Sequence, residues 1–176
     1  MKPIKEMTQL EIGAYVCSHL AEKSIEVVLS GGASVSLYSN NQYISKDIDL
    51  IDVYSVSRRR LSLAMKEIGF IEKNRYFKHP ESPFIIEFPP GPLTVGDEVV
   101  HKTRQIKFST GVLKVISATD CVKDRLAAYY HWGDKQSLSQ AILVANENKV
   151  DIKEIERWSQ KEGKQKDFEL IKTKFI

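Results

Sequence analysis

Apolar residues recur at helical spacing near the start of the chain. Leu10, Ala14, Val16, Cys17, Leu20 and Ala21 predict a helix over residues 7–23. Thr8 with Glu11 three residues on has the form of a capping box. The pattern then shortens to β-branched runs. IEVVLSGG, 25–32, reads as a buried strand breaking at paired glycines, and 33–40 as a short helix. KDIDLIDVY, 46–54, alternates, with Ile48, Leu50 and Asp52 on one parity and Asp47, Asp49, Ile51 and Val53 on the other. A helix over 56–70 buries Leu61, Ala64, Met65 and Ile68 and stops at Gly69. Strands follow near 71–78, 84–88, 104–108 and 112–116, and FPPGP cuts the FIIEF strand short because proline removes a ladder donor. From Thr119 the periodicity is helical, over 119–131, 135–147, 151–161 and 166–173. The order predicts an α/β core, residues 1–117, carrying a small helical subdomain, residues 118–176, packed on it.

Three features of that pattern carry chemistry. Asp47 and Asp49 share one face of a strand, because side chains two apart point the same way. Two such carboxylates repel unless a cation sits between them, and hard oxygens of this kind suit Mg²⁺. The blander reading is an edge strand with one polar face. Glu87 sits inside an apolar strand, where a carboxylate is costly unless paired or metal-bound; pairing with a lysine is the alternative. If its strand lies beside 47–53, the three acids converge, and two metals held so are the usual clamp for phosphoryl displacement. Gly31-Gly32-Ala33-Ser34 follows a strand and opens a helix, where free N–H groups and a positive dipole end favour phosphate. A tight turn with positive φ is the plainer explanation of a glycine pair.

Together, LSGGAS at 29–34, SKDIDLI at 45–51 and IIEF at 85–88 resemble the nucleotidyltransferase superfamily. The likeness is closest to AbiEii-type toxins and other minimal bacterial nucleotidyltransferases, and it covers residues 25–145. It implies a mixed sheet flanked by helices. It further implies Asp47, Asp49 and Glu87 as catalytic metal ligands for Mg²⁺, with Mn²⁺ as a substitute, and Gly31, Gly32 and Ser34 around a triphosphate. A match in 117–141 adds Lys123 at the phosphates and Asp134 beside Lys123 or the nucleotide. Against that, Lys123 reads equally as a helix surface charge and Asp134 as the N-cap of the next helix after Gly133. The chain departs from the pattern at Ala33, which stands where a hydroxyl residue is common. The implied reaction moves a nucleotidyl group from an NTP to an acceptor hydroxyl, the acceptor being RNA such as tRNA, a protein, or a small molecule.

Composition narrows the classes. With 42% hydrophobic and 28% charged residues the 176-residue chain is not disordered, and no apolar run reaches the ~20 residues of a membrane span. The N-terminus lacks a long apolar stretch, and Cys17 and Cys121 make no metal or redox spacing, so a cytoplasmic protein with reduced buried thiols is expected. A net charge of +3 permits an anionic partner without demanding one. Arg58, Arg59 and Arg60 form either a solvated basic corner or, with Lys66, Lys73, Arg75 and Lys78, a phosphate-contacting surface. Tyr129, Tyr130, His131 and Trp132 read as inter-helix packing, with one ring available to stack on a base. Two rivals to the enzyme stand beside it. One is a catalytically silent nucleotide-binding or toxin–antitoxin partner protein of the same fold; the other is a basic RNA-binding module.

Overall fold

The computed structural model describes residues 2–175. Helix α1 (Gln9–Glu22) starts where Thr8 accepts from the Glu11 amide while Glu11 reaches back to the Thr8 amide, the capping box in full. It is followed by β1 (Val27–Ser30), α2 (Gly31–Tyr38), β2 (Asp47–Asp52) and α3 (Arg58–Glu67). Then come β3 (Ile71–Lys73), β4 (Tyr76–Lys78), β5 (Ile85–Glu87), β6 (Thr94–Val95), β7 (Glu98–Val99), β8 (Thr103–Phe108) and β9 (Gly111–Ile116). Helices α4 (Ala118–Trp132), α5 (Lys135–Glu147), α6 (Ile152–Lys161) and α7 (Gln165–Ile171) complete the order.

Seven strands form one mixed sheet in the order β3-β4-β5-β2-β1-β9-β8, flanked by helices. Strand β2 lies at its centre, antiparallel to β1 and parallel to β5. The alternation read from the sequence holds there. Ile48, Leu50 and Asp52 are buried, whereas Asp47, Asp49 and Ile51 are half-buried. Ile48 and Leu50 have no exposed surface, and burying such a side chain contributes about 1.5–3 kcal/mol. The buried Asp52 is satisfied by the amides of Tyr54 and Val56, which turn the chain away after the strand.

Two details differ from the sequence expectation. Helix α2 begins at the glycines rather than after them, because Gly31 at φ +60° lets the chain turn from strand directly into helix with Ser30 as N-cap. The hairpin of β6 and β7 was not expected, since two-residue strands after a proline-rich turn carry no periodicity. One hydrophobic cluster runs from Met7 to Phe175 and includes Ile86 of the sheet and Leu126, Val144, Ile155 and Trp158 of the C-terminal helices. Among the described residues, no helix is long and apolar enough to cross a membrane.

Candidate active site

The acids meet through strand pairing. In the parallel β2–β5 ladder Asp49 stands opposite Glu87 and Asp47 opposite Ile85, so Asp49 and Glu87 are cross-strand neighbours on one face. On its other side Asp49 stands opposite Ser30, the N-cap of α2. A Cβ on Gly31 would overlap the Asp49 carboxylate, and one on Gly32 would lie 2.9 Å from the Ser45 hydroxyl oxygen. These glycines let the first turn of α2 close over the acid strand. No side-chain hydrogen bond caps that turn, which leaves the first amides of α2 without a side-chain acceptor beside the acid strand.

The corner carries unbalanced charge. Partial burial pushes the Asp49 carboxyl up to about 6, and the carboxylates of Glu87 and Asp47 push the same way; Arg125 on α4 pulls against them. Glu87 has a cation of its own, with Arg75 Nε at 3.2 Å from its Oε1. A hard divalent cation is the partner that carboxylates crowded around Asp49 would favour, so the donor chemistry fits Mg²⁺ or Mn²⁺. Among the described residues no group of three His, Cys, Asp or Glu side chains is gathered closely enough to hold an ion.

The remaining sequence candidates lie in different settings. Ser34 is fully buried; its hydroxyl donates to the Gly31 carbonyl at 2.7 Å and touches Cys121 Sγ at 3.2 Å, so it braces the turn from inside. Asp134 is the N-cap of α5, accepting from the amides of Gln136 and Ser137. The Ser137 hydroxyl and amide hold its carboxyl below the ordinary range, with Arg125 adding to the effect. Lys123 points elsewhere. Its ammonium lies 3.0 Å from Asp120, 3.2 Å from Glu154 and 3.9 Å from Glu98, in a cluster joining α4, α6 and β7.

Arg125, two residues on, pairs with the neighbouring Asp124, and its charge reaches Asp49. Its Nε donates to Asp124 at 3.0 Å, and it lies near enough to Asp49 and Asp134 to shift both. The sequence reading missed it. The spacing that could have found it is Cys121 to Arg125, one helical turn, with Cys121 packed on Ser34 behind the glycine turn. Both cysteines are free and buried, and burial pushes their thiols up to about 12, so neither is a reactive thiolate.

The arginine trio is largely spent within the protein. Arg58 donates to Glu72 at 2.8 Å and lies 4.8 Å from the centre of the Phe77 ring. Arg60 donates to the carbonyls of Lys23 and Ser24 at 2.6 and 3.3 Å.

No protein-family model matches the chain, and no curated protein matches it at a significant level. Solved structures do. The chain is similar to an antigenic nucleotidyltransferase-like protein from Paracoccidioides brasiliensis, with TM-score 0.58 and 16% identity, covering 78% of this chain and 76% of that one. It is also similar to the antibiotic-resistance factor ANT(2'')-Ia in solution, with TM-score 0.50, 12% identity and coverage of 78% and 82%. The crystal structure of that factor with adenylyl-2''-tobramycin matches at TM-score 0.50 and 12% identity, covering 79% of this chain and 89% of that one. The shared property is the nucleotidyltransferase-like fold, a mixed sheet flanked by helices.

Proposed function

We propose that this chain is a divalent-metal-dependent nucleotidyltransferase that moves a nucleotidyl group from an NTP to an acceptor hydroxyl. One observation carries the reading: Asp49, its carboxyl raised to about 6, is packed between Glu87 and the uncapped glycine turn of α2. Carboxylates and phosphate-seeking amides in one corner are the two halves of a metal-nucleotide site. The fold it shares with nucleotidyltransferase-like proteins is consistent with that use.

In this reading Asp47, Asp49 and Glu87 hold Mg²⁺ or Mn²⁺, which supplies the positive charge that in-line displacement at phosphorus requires. The amides of Gly31 and Gly32 receive the phosphates, and Ser34 keeps their turn in shape from behind. Arg125 supplies the fixed cation that the sequence resemblance placed at Lys123. Glu87 takes the proton of the acceptor hydroxyl as the hydroxyl oxygen bonds to the α-phosphorus, and pyrophosphate leaves with the electrons of the broken P–O bond. The acceptor is an RNA end, a protein side chain or a small molecule, and a toxin–antitoxin setting and a cytoplasmic location fit the same reading.

Calorimetric titration of ATP, GTP, CTP and UTP, with and without Mg²⁺, tests it on the wild type and on Asp47→Asn/Asp49→Asn. The expected result is Mg²⁺-dependent binding of at least one NTP that the double variant loses. Binding that persists unchanged in the double variant would refute the ligand assignment.

A second reading, nucleotide binding without turnover, draws on the Arg75–Glu87 pair, which already neutralises the third acid. It predicts NTP binding that needs no metal, and no pyrophosphate release with any acceptor.

A further inference from the structure

The chain has two tryptophans, in opposite environments. Trp158 has no exposed surface, stacks on Tyr130 at 6.0 Å between ring centres, and donates to the Val95 carbonyl. Trp132, the last residue of α4, is 79% exposed, with the His131 ring 6.1 Å from its own. At that exposure the broad face of the indole is open to a planar partner.

Its place on the helix points to one. Trp132 follows Arg125 by seven residues and Cys121 by eleven. Seven residues fall about 20° short of two turns and eleven about 20° past three, so all three side chains leave one stripe of α4. That stripe is fixed at one end, where Cys121 touches Ser34 behind the glycine turn, and in its middle, where Arg125 lies in the field of Asp49. Trp132 extends it by two turns, about 10 Å of rise, toward open solvent. A nucleotide whose phosphates meet the glycine turn and Arg125 has a base at comparable reach, and the neighbouring Tyr129 is half-buried on the same side.

We propose that Trp132 is the stacking platform for the nucleobase of the bound NTP. The inference rests on the nucleotide site proposed above. Indole stacks on any base, so the platform confers affinity with little choice among the four bases. Gly133, left-handed at φ +67°, ends α4 at once and turns the chain into α5, so nothing in the following residue covers the ring.

The difference between the tryptophans makes the test direct. Tryptophan emission is followed while ATP or inorganic tripolyphosphate is added with Mg²⁺ to wild type, Trp132→Ala and Trp132→Tyr, and affinities are taken in parallel by calorimetry. The expected result has four parts. ATP quenches the wild type; tripolyphosphate binds without quenching; Trp132→Ala weakens ATP about tenfold or more while leaving tripolyphosphate unchanged; and Trp132→Tyr restores most of the ATP affinity. An exposed residue carries little of the fold, so the alanine variant stays folded. ATP binding that is equal in wild type and Trp132→Ala overturns the platform and leaves the nucleotide site standing. Equal loss of ATP and tripolyphosphate also overturns it, because the residue then acts on the phosphate end. No binding of any NTP by the wild type removes the site and the platform together. Self-association that disappears in Trp132→Ala, with ATP affinity intact, assigns the ring to a second copy of the chain and overturns the proposal.

Discussion

The molecule holds two clusters of charge, and they are built on opposite terms. Around Glu98, Arg157 donates at 2.9 and 2.7 Å, Lys161 at 2.9 Å, and Lys123 stands between Asp120 and Glu154. Arg157 and Lys161 hold the Glu98 carboxyl down at about 2. Around Asp49 the neighbours are carboxylates, and its pKa moves up to about 6. The first cluster is electrically closed and ties the β6–β7 hairpin to α4 and α6. The second is left short of positive charge at the mouth of a helix. A cluster that holds a fold together completes its pairs, and the deficit around Asp49 is what the proposed metal-nucleotide site would fill.

The largest effect should come from removing the carboxylates that create the deficit. Asp47→Asn/Asp49→Asn is expected to lower nucleotidyl transfer by 10³-fold or more, which a pyrophosphate-release assay would read. A double variant within tenfold of wild type would place the chemistry elsewhere. Opening the closed cluster comes next. Lys123→Met, at a side chain 6% exposed, leaves Asp120 and Glu154 facing an apolar group and should cost about 2–3 kcal/mol in urea unfolding. NTP affinity of the folded variant should stay near wild type; a specific loss of phosphate binding would return Lys123 to the nucleotide site.

The single Asp49→Asn change should do the reverse of Lys123→Met. In chelator it is expected to stabilise the protein at pH 7 by on the order of 1–2 kcal/mol. The sign follows from the raised pKa. Between about pH 4 and 6 the folded state binds more protons at Asp49 than the unfolded chain, so this group's contribution falls as pH rises through that window and is most adverse above it. The variant should flatten that part of the stability–pH curve, and a curve identical to wild type would show Asp49 in an ordinary environment. The smallest effect is local. Asp134→Ala removes the α5 cap and should cost about 1 kcal/mol, with thermal melting lowered and NTP affinity unchanged.

The two clusters also differ in how far the sequence disclosed them. Asp47 and Asp49 sit two apart on a strand whose alternation is plain, and Glu87 interrupts an apolar run, so each is conspicuous locally. Their convergence rests on β2 pairing with β5, a contact that no local pattern encodes. The Glu98 cluster was invisible, because its anchor lies on a two-residue strand and its partners are scattered over α4 and α6. Without that anchor Lys123 reads as a helix surface charge or a phosphate contact, whereas the fold sets it between Asp120 and Glu154. The capping residues were legible for a simpler reason: Thr8 and Asp134 act on amides two or three residues away.

The position of β1 has a consequence for how the chain comes to be made. Its antiparallel neighbour β2 follows within about two dozen residues, yet its parallel neighbour arrives only at Val115, opposite Leu29. During synthesis the glycines and carboxylates of the corner, from Gly31 to Glu87, emerge while one flank of β1 still lacks its strand. Long-range pairings of this kind close late and slowly. The nascent chain therefore carries an open edge of unpaired backbone N–H and C=O groups on β1 until β9 has cleared the ribosome, and that interval is when a chaperone has most to offer it.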